Sequence, residues 1–334
     1  PTGTKLNINS VTVDAGTASI DFNASALKVP SWKRPYLRSQ LLATLGSIDG
    51  ITQISISVER TIQVIGTGSA GIPEDASSLP VILTDEGLSH VAGNSLFDIR
   101  GTKSLVQNQE AKDFCISADE SLVVLLGQGQ IYSYNLGVLK NATQLVDDRF
   151  GLIYPSIDPF NGIWTTTSKP GSNIRLTDVV GAQKSLMNPV GSRSIIRSLA
   201  VSPEGSRLAI LHGAAGGTVV SVFAIIRDKS RKVVGFGEPY PLTEFGQRVN
   251  SISWSDHSTI TGLVKDSEGY QTTVQAIVGG PESIQRRTID GVAAITVIGG
   301  NQYYLDANGG LFVSRSIGWD RLRSAVKAIH MAGQ

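Results

Sequence analysis

The stretch Leu199-Ala200-Val201-Ser202-Pro203-Glu204-Gly205-Ser206-Arg207-Leu208-Ala209 decides the fold. One apolar run leads into Ser-Pro-Glu-Gly and a second leaves it. Proline presets φ inside such a turn and glycine accepts positive φ, so the segment reads as two short strands joined tightly. Related patterns occupy 114–124, 156–164 and 252–260, and a degenerate copy occupies 294–303. The turns recur roughly every 40–50 residues, which leaves room for about four short strands per unit. That is the signature of β-propeller blades. Blades must close into a ring, because an isolated four-stranded sheet exposes both faces. Segments 81–107 and 291–316 are shorter than the middle units. As separate blades they give six, and as one shared closing blade they give five; we read six. Trp164, Trp254 and Cys115 fall on blade strands and read as core packing.

Ahead of the repeats, residues 1–65 read β-β-α-β. Leu6, Ile8, Val11 and Val13 give a mostly alternating pattern, Asp14-Ala15-Gly16-Thr17 turns the chain, and Ile20 and Phe22 return it. Pro35 suits a first helical position. Leu37, Leu41, Leu42 and Leu45 follow at helical spacing and Gly46 is a stop. Ile54, Ile56 and Val58 form a third strand. Residues 66–80 have linker composition, and 81–334 contain the propeller and a C-terminal tail. In that tail Leu322, Val326 and Ile329 suit a short helix packed on the ring, with coil as the alternative. The fold class is therefore mainly β: a propeller preceded by a partial small α/β domain.

Composition supports this reading and excludes several function classes. The 334 residues include 36 Gly and are 17% charged, against averages of about 7% Gly and about 25% charged. Turn-rich β structure has that profile. A net charge of +1 removes the field that would hold nucleic acid through counterion release. A single cysteine excludes an intramolecular disulfide framework and a Cys-based zinc cluster.

Pro1-Thr2-Gly3-Thr4-Lys5-Leu6, Val11-Thr12-Val13-Asp14, Ala18-Ser19-Ile20-Asp21-Phe22 and the Leu-rich helix resemble the second half of a GerMN domain. Followed by a degenerate propeller, this order is similar to the LpqB family of actinobacterial cell-envelope lipoproteins. The resemblance implies a non-enzymatic protein on the outer face of the cytoplasmic membrane, held by an acylated N-terminal cysteine. In that family the gene accompanies the Mtr two-component system. The implied partner is the extracytoplasmic domain of the sensor kinase MtrB, with consequences for cell-envelope and division responses. The lipobox cysteine and the first half of the GerMN domain are absent from this sequence, so the resemblance implies an N-terminally truncated fragment. Cys115 cannot replace the anchor, because Lys112-Asp113-Phe114 precede it.

Chemistry-bearing motifs are sparse. Gly66-Thr67-Gly68-Ser69-Ala70-Gly71 matches a dinucleotide loop, but Pro73 and Pro80 leave no room for the helix that must follow. It reads as linker, with no cofactor. His90, His212, His257 and His330 lie in unlike contexts, and no nucleophile elbow accompanies them. No pair of ligand-type residues has metal-site spacing. Asp147-Asp148 could suggest paired catalytic carboxylates, but adjacent strand residues point to opposite faces, so a solvated inter-blade turn is expected. The partner-contact patch is Trp32, Lys33, Arg34, Tyr36 and Arg38, where three cations and two aromatics gather at a helix start. Cations there oppose the helix dipole, a cost of about 0.3–1 kcal/mol each that a contact could offset. The alternative function is small-ligand or glycan binding in the propeller channel.

Overall fold

A computed structural model describes residues 3–7, 11–28, 37–38, 41, 45, 51, 53–63, 79–136, 143–214, 216–265, 268–280, 284–288, 291–298, 300–315 and 318–333. The chain divides into two units, Pro1–Glu74 and Asp75–Gln334. In the first, strands Thr12–Asp14 and Thr17–Phe22 form an antiparallel pair. Gln53–Val58 then lies parallel to Thr17–Phe22, and Thr61–Ile62 turns back on it. A parallel neighbour requires a crossover, and the described residues of the Leu-rich segment are helical. Leu37, Leu41 and Leu45 pack on Ile20, Phe22, Ile56 and Val58, as their spacing predicts. Leu42 and most of the expected linker lie outside the described residues. Pro80, placed at the linker's end by composition, opens the first strand of the second unit.

Among the described residues the second unit contains six antiparallel sheets. Blade 1 comprises Pro80–Thr84, Gly87–Ala92 and Ser95–Asp98, with Ala328–Met331 added as its inner strand. The inner strands of the next five blades are Ala111–Ile116, Ser156–Ile157, Ile196–Val201, Val249–Trp254 and Val292–Ile298. These six inner strands touch in cyclic order, and Val292–Ile298 reaches Ala328–Met331 to complete the circuit. Both ends of the unit therefore share one sheet. Segments 80–98 and 292–323 nonetheless form separate blades. The C-terminal tail is not a helix: Trp319–Arg323 is the outer strand of blade 6 and Ala328–Met331 closes blade 1. Leu322, Val326 and Ile329 pack in one cluster, but they do so along extended chain.

The core lies between blades. Phe114, Ile116 and Leu125 face blade 1, whereas Cys115, Val124 and Ile131 face blade 3. Strand residues alternate faces, so both faces of a blade are buried and the strands read as nearly continuous apolar runs. Trp164 and Trp254 are fully buried, and Trp254 Nε1 donates to the Ala200 carbonyl of the preceding blade. One element has no counterpart in the expected pattern. The helix Thr102–Gln109, here α1, connects blades 1 and 2 and buries only Thr102 and Val106. So few apolar positions give no helical period to read.

Candidate functional site in the propeller channel

The inner strands of blades 2, 4, 5 and 6 each carry a register shift near their first residues. A β-bulge re-aims the side chain that follows it. Asp113, Ser251 and Ala294 each follow such a shift, and all three line a cavity of about 110 Å³ on the ring axis. His330 enters the same cavity from the closing strand of blade 1, and Tyr154 enters from the connection into blade 3.

Asp113 Oδ1 is held twice, by the backbone N–H of Phe114 at 2.8 Å and by His330 Nε2 at 2.6 Å. A carboxylate only accepts, so Nε2 carries the proton in this contact. The imidazole is oriented by Phe114, edge-on at 5.1 Å, and by Tyr154 at 5.7 Å. Tyr154 bonds Ser198 through its hydroxyl, and burial, more than the nearby Asp113 charge, pushes its pKa up to about 12. The phenol is therefore neutral at physiological pH. The rest of the lining mixes Ser156, Ser251, Ser253 and Lys327 with Leu199, Ile252 and Ile295, whose side chains are buried in the core between blades. A second hollow of about 570 Å³, lined by Glu110, Lys112, Asp306 and Lys327 among others, shares Leu305 and Lys327 with the channel cavity.

The site is a His–Asp dyad beside a neutral phenol, and among the described residues no serine hydroxyl bonds His330. It holds a proton at Nε2 and offers polar atoms to a guest. None of this was singled out from sequence: Asp113 and His330 stand 217 residues apart and meet only because the last strand joins the first blade.

The other expected positions are distributed as follows. Trp32, Lys33, Arg34 and Tyr36 lie outside the described residues, and Arg38 is helical and half-buried in the first unit. Gly66–Gly71 also falls outside them. His212 bonds Ser221 at 3.0 Å and has its pKa lowered by burial, while His257 is an exposed turn residue 3.5 Å from Glu204. His90 is buried with Nε2 2.9 Å from Glu120. Asp147-Asp148 requires a correction. Asp148 is exposed, but Asp147 is fully buried rather than solvated. It accepts from Arg149, from Arg175 Nη1 at 2.9 Å and from Thr165 Oγ1 at 2.5 Å. Three donors from two blades replace the water that a turn position would provide. No group of residues suited to a metal ion occurs among those described.

A ring of mainly four-stranded antiparallel sheets, closed by pairing its last strand with its first, defines a β-propeller. The family model for the lipoprotein LpqB β-propeller domain matches residues 86–328, and the chain belongs to that family. This makes it an extracytoplasmic, envelope-associated propeller. Among solved structures, TolB from Acinetobacter baumannii is similar over 78% of this chain and 68% of its own, at 15% identity and a TM-score of 0.56. A chain of the nidogen/laminin complex is similar over 77% and 99%, at 11% identity and a TM-score of 0.54. At such identities the likeness is one of fold. No curated protein matches the sequence. Among the described residues no helix is long and apolar enough to cross a membrane.

Proposed function

We propose that this protein is a non-enzymatic regulatory lipoprotein that modulates a two-component sensor kinase, MtrB of the Mtr system, by contact with its extracytoplasmic domain. The observation that carries this reading is the family match across 86–328. In the proposal a lipid anchor holds the full-length protein at the outer face of the cytoplasmic membrane. The propeller presents contact surface there and the signal affects envelope and division responses. Contact through Trp32, Lys33, Arg34, Tyr36 and Arg38 belongs to the same proposal. Exposed Phe150 and Met187 on the propeller offer further apolar contact area.

Titration of the purified kinase ectodomain against this chain tests the reading. Saturable binding is expected, weakened at least tenfold by reversing the charges of Lys33 and Arg34 together. Absence of binding at about 100 μM, weaker than about −5.5 kcal/mol, rejects direct contact.

A further inference from the structure

Two turns of neighbouring blades share one backbone and carry contrasting side chains. In blade 3, Asp178-Val179-Val180-Gly181-Ala182 joins the strands Ile174–Thr177 and Gln183–Leu186. In blade 4, Asp228-Lys229-Ser230-Arg231-Lys232 joins Gly217–Arg227 and Val233–Phe236. Asp178 Oδ1 accepts from the N–H groups of Val180 at 3.1 Å and Ala182 at 2.8 Å. Asp228 Oδ1 accepts from Ser230 at 2.8 Å and Lys232 at 2.9 Å in the same way. The fourth residue has positive φ in both, Gly181 at +85° and Arg231 at +64°. Lysine and serine therefore satisfy this turn as well as valine does, and turn positions generally favour polar residues. Val179 and Val180 are nonetheless 64% and 81% exposed, and they belong to neither apolar cluster of blade 3. The turn and the core both leave them unexplained.

Lys184 Nζ donates to the Val233 carbonyl at 2.6 Å, which ties the outer strands of blades 3 and 4 just beyond the two turns. The tips therefore stand side by side on the rim of the ring. Lys229, Arg231 and Lys232 are all exposed, and they outnumber the two capping carboxylates. We propose that this rim docks on an anionic lipid surface, with Val179 and Val180 entering the headgroup boundary and Lys229, Arg231 and Lys232 lying on lipid phosphates. This inference goes beyond kinase contact, and either can fail alone.

Apolar burial and attraction to anionic headgroups add in interfacial binding. Each basic residue near an anionic surface strengthens adsorption about fivefold. A protein partner fits less well. The apolar part is two aliphatic side chains on a projecting tip, without the aromatic anchors that centre protein interfaces. A lipid surface moulds to such a tip. In an antiparallel blade the turns after the first and third strands share one end. Asp119, Glu204 and Asp256 stand in the inner turns at that same end, nearer the axis. Their carboxylates repel anionic lipid, so contact is confined to the rim of blades 3 and 4. Phe150 precedes the inner strand of blade 3 and Met187 follows its outer strand, which places both at the opposite end.

Sedimentation of this chain with vesicles tests the proposal, using phosphatidylcholine alone and phosphatidylcholine mixed equally with phosphatidylglycerol. Saturable binding is expected on the mixed vesicles and little on the neutral ones. Val179→Ser with Val180→Ser should weaken it at least about fivefold, and Lys229→Glu with Lys232→Glu at least about twentyfold. A polarity-sensitive dye on Val180→Cys should report an apolar setting on mixed vesicles, whereas the same dye on Ser192→Cys, at the opposite end, should not. Cys115 is buried and stays unlabelled. The dye keeps the test decisive should a charge-reversed variant fail to fold. No binding to mixed vesicles, equal binding to neutral ones, or serine variants that bind like the parent each overturn the proposal. So does a dye at position 180 that stays in water while soluble polyglutamate competes, which would assign the basic tip to an acidic protein.

Discussion

Gly205 shows how a single residue can join two blades. Its φ is +73°, and a Cβ placed there would lie 2.8 Å from both Cδ and Cγ of Pro159 in the corresponding turn of blade 3. Gly205→Ala therefore combines backbone strain with a clash against a rigid ring. A loss of about 2 kcal/mol is expected, read as a lower urea midpoint with an unchanged slope. Asp147 acts by charge. Burial opposes its ionisation, yet the bonds from Arg149 and Thr165 together hold its pKa below the ordinary aspartate value. A depressed folded pKa contributes stability that is complete above about pH 4, the unfolded value. That stability is lost as pH falls through the folded value. Asp147→Asn leaves Arg149 and Arg175 without their counter-charge. Both arginines are about a quarter exposed, so the cost falls below that of a fully buried pair, at about 2 kcal/mol. Denaturation followed from pH 7 to pH 3 should show a smaller stability loss in the variant than in the parent.

At the scale of elements, the closing strand Ala328–Met331 carries the most weight. It supplies the inner edge of blade 1, pairs along Pro80–Thr84 and buries Ile329 against Ile82 and Leu305. Truncation before residue 328 opens the ring between blades 6 and 1. Loss of that pairing and burial costs about 3–5 kcal/mol, comparable with the whole stability of many domains. The expected result is a broadened, earlier transition by scanning calorimetry, partly restored by supplying 324–334 as a peptide. This element also marks how far the sequence could be read. The Ser-Pro-Glu-Gly turn and its copies are local signals, since proline and glycine fix their own dihedrals, and they place the blades correctly. Trp164, Trp254 and Cys115 are legible as core for the same reason. The closing strand and the channel dyad are not local. Val326 and Ile329 sit at a spacing that a helix could also use, and pairing with residue 82 decides between the two. Asp113 and His330 look like ordinary polar residues until the ring brings them within 2.6 Å. Asp147 is missed because its partner Arg175 lies 28 positions downstream on the next blade.

For the whole molecule, charge balance sets the expected character of partner binding. Lysine and arginine number 29 against 28 aspartate and glutamate, and Asp147, Asp158 and Glu204 are paired locally with arginines. Asp119, Glu204 and Asp256 accept hydroxyl and backbone bonds in the turns between first and second strands. Asp158 accepts from Trp164 and Arg227, which ties blade 3 to blade 4. Little net field remains to steer a partner from a distance, and residual patches are screened beyond about 8 Å at physiological salt. Apolar surface is still available, with Phe150, Val180 and Met187 each more than four-fifths exposed. Complex formation with the kinase ectodomain should therefore depend on short-range packing more than on attraction. Its association rate is expected to change less than about tenfold between 50 and 500 mM salt, whereas Phe150→Ala or Met187→Ala should raise the dissociation rate several-fold. A steep salt dependence measured by stopped flow, with both alanine variants unchanged, would instead show that Phe150 and Met187 lie outside the contact.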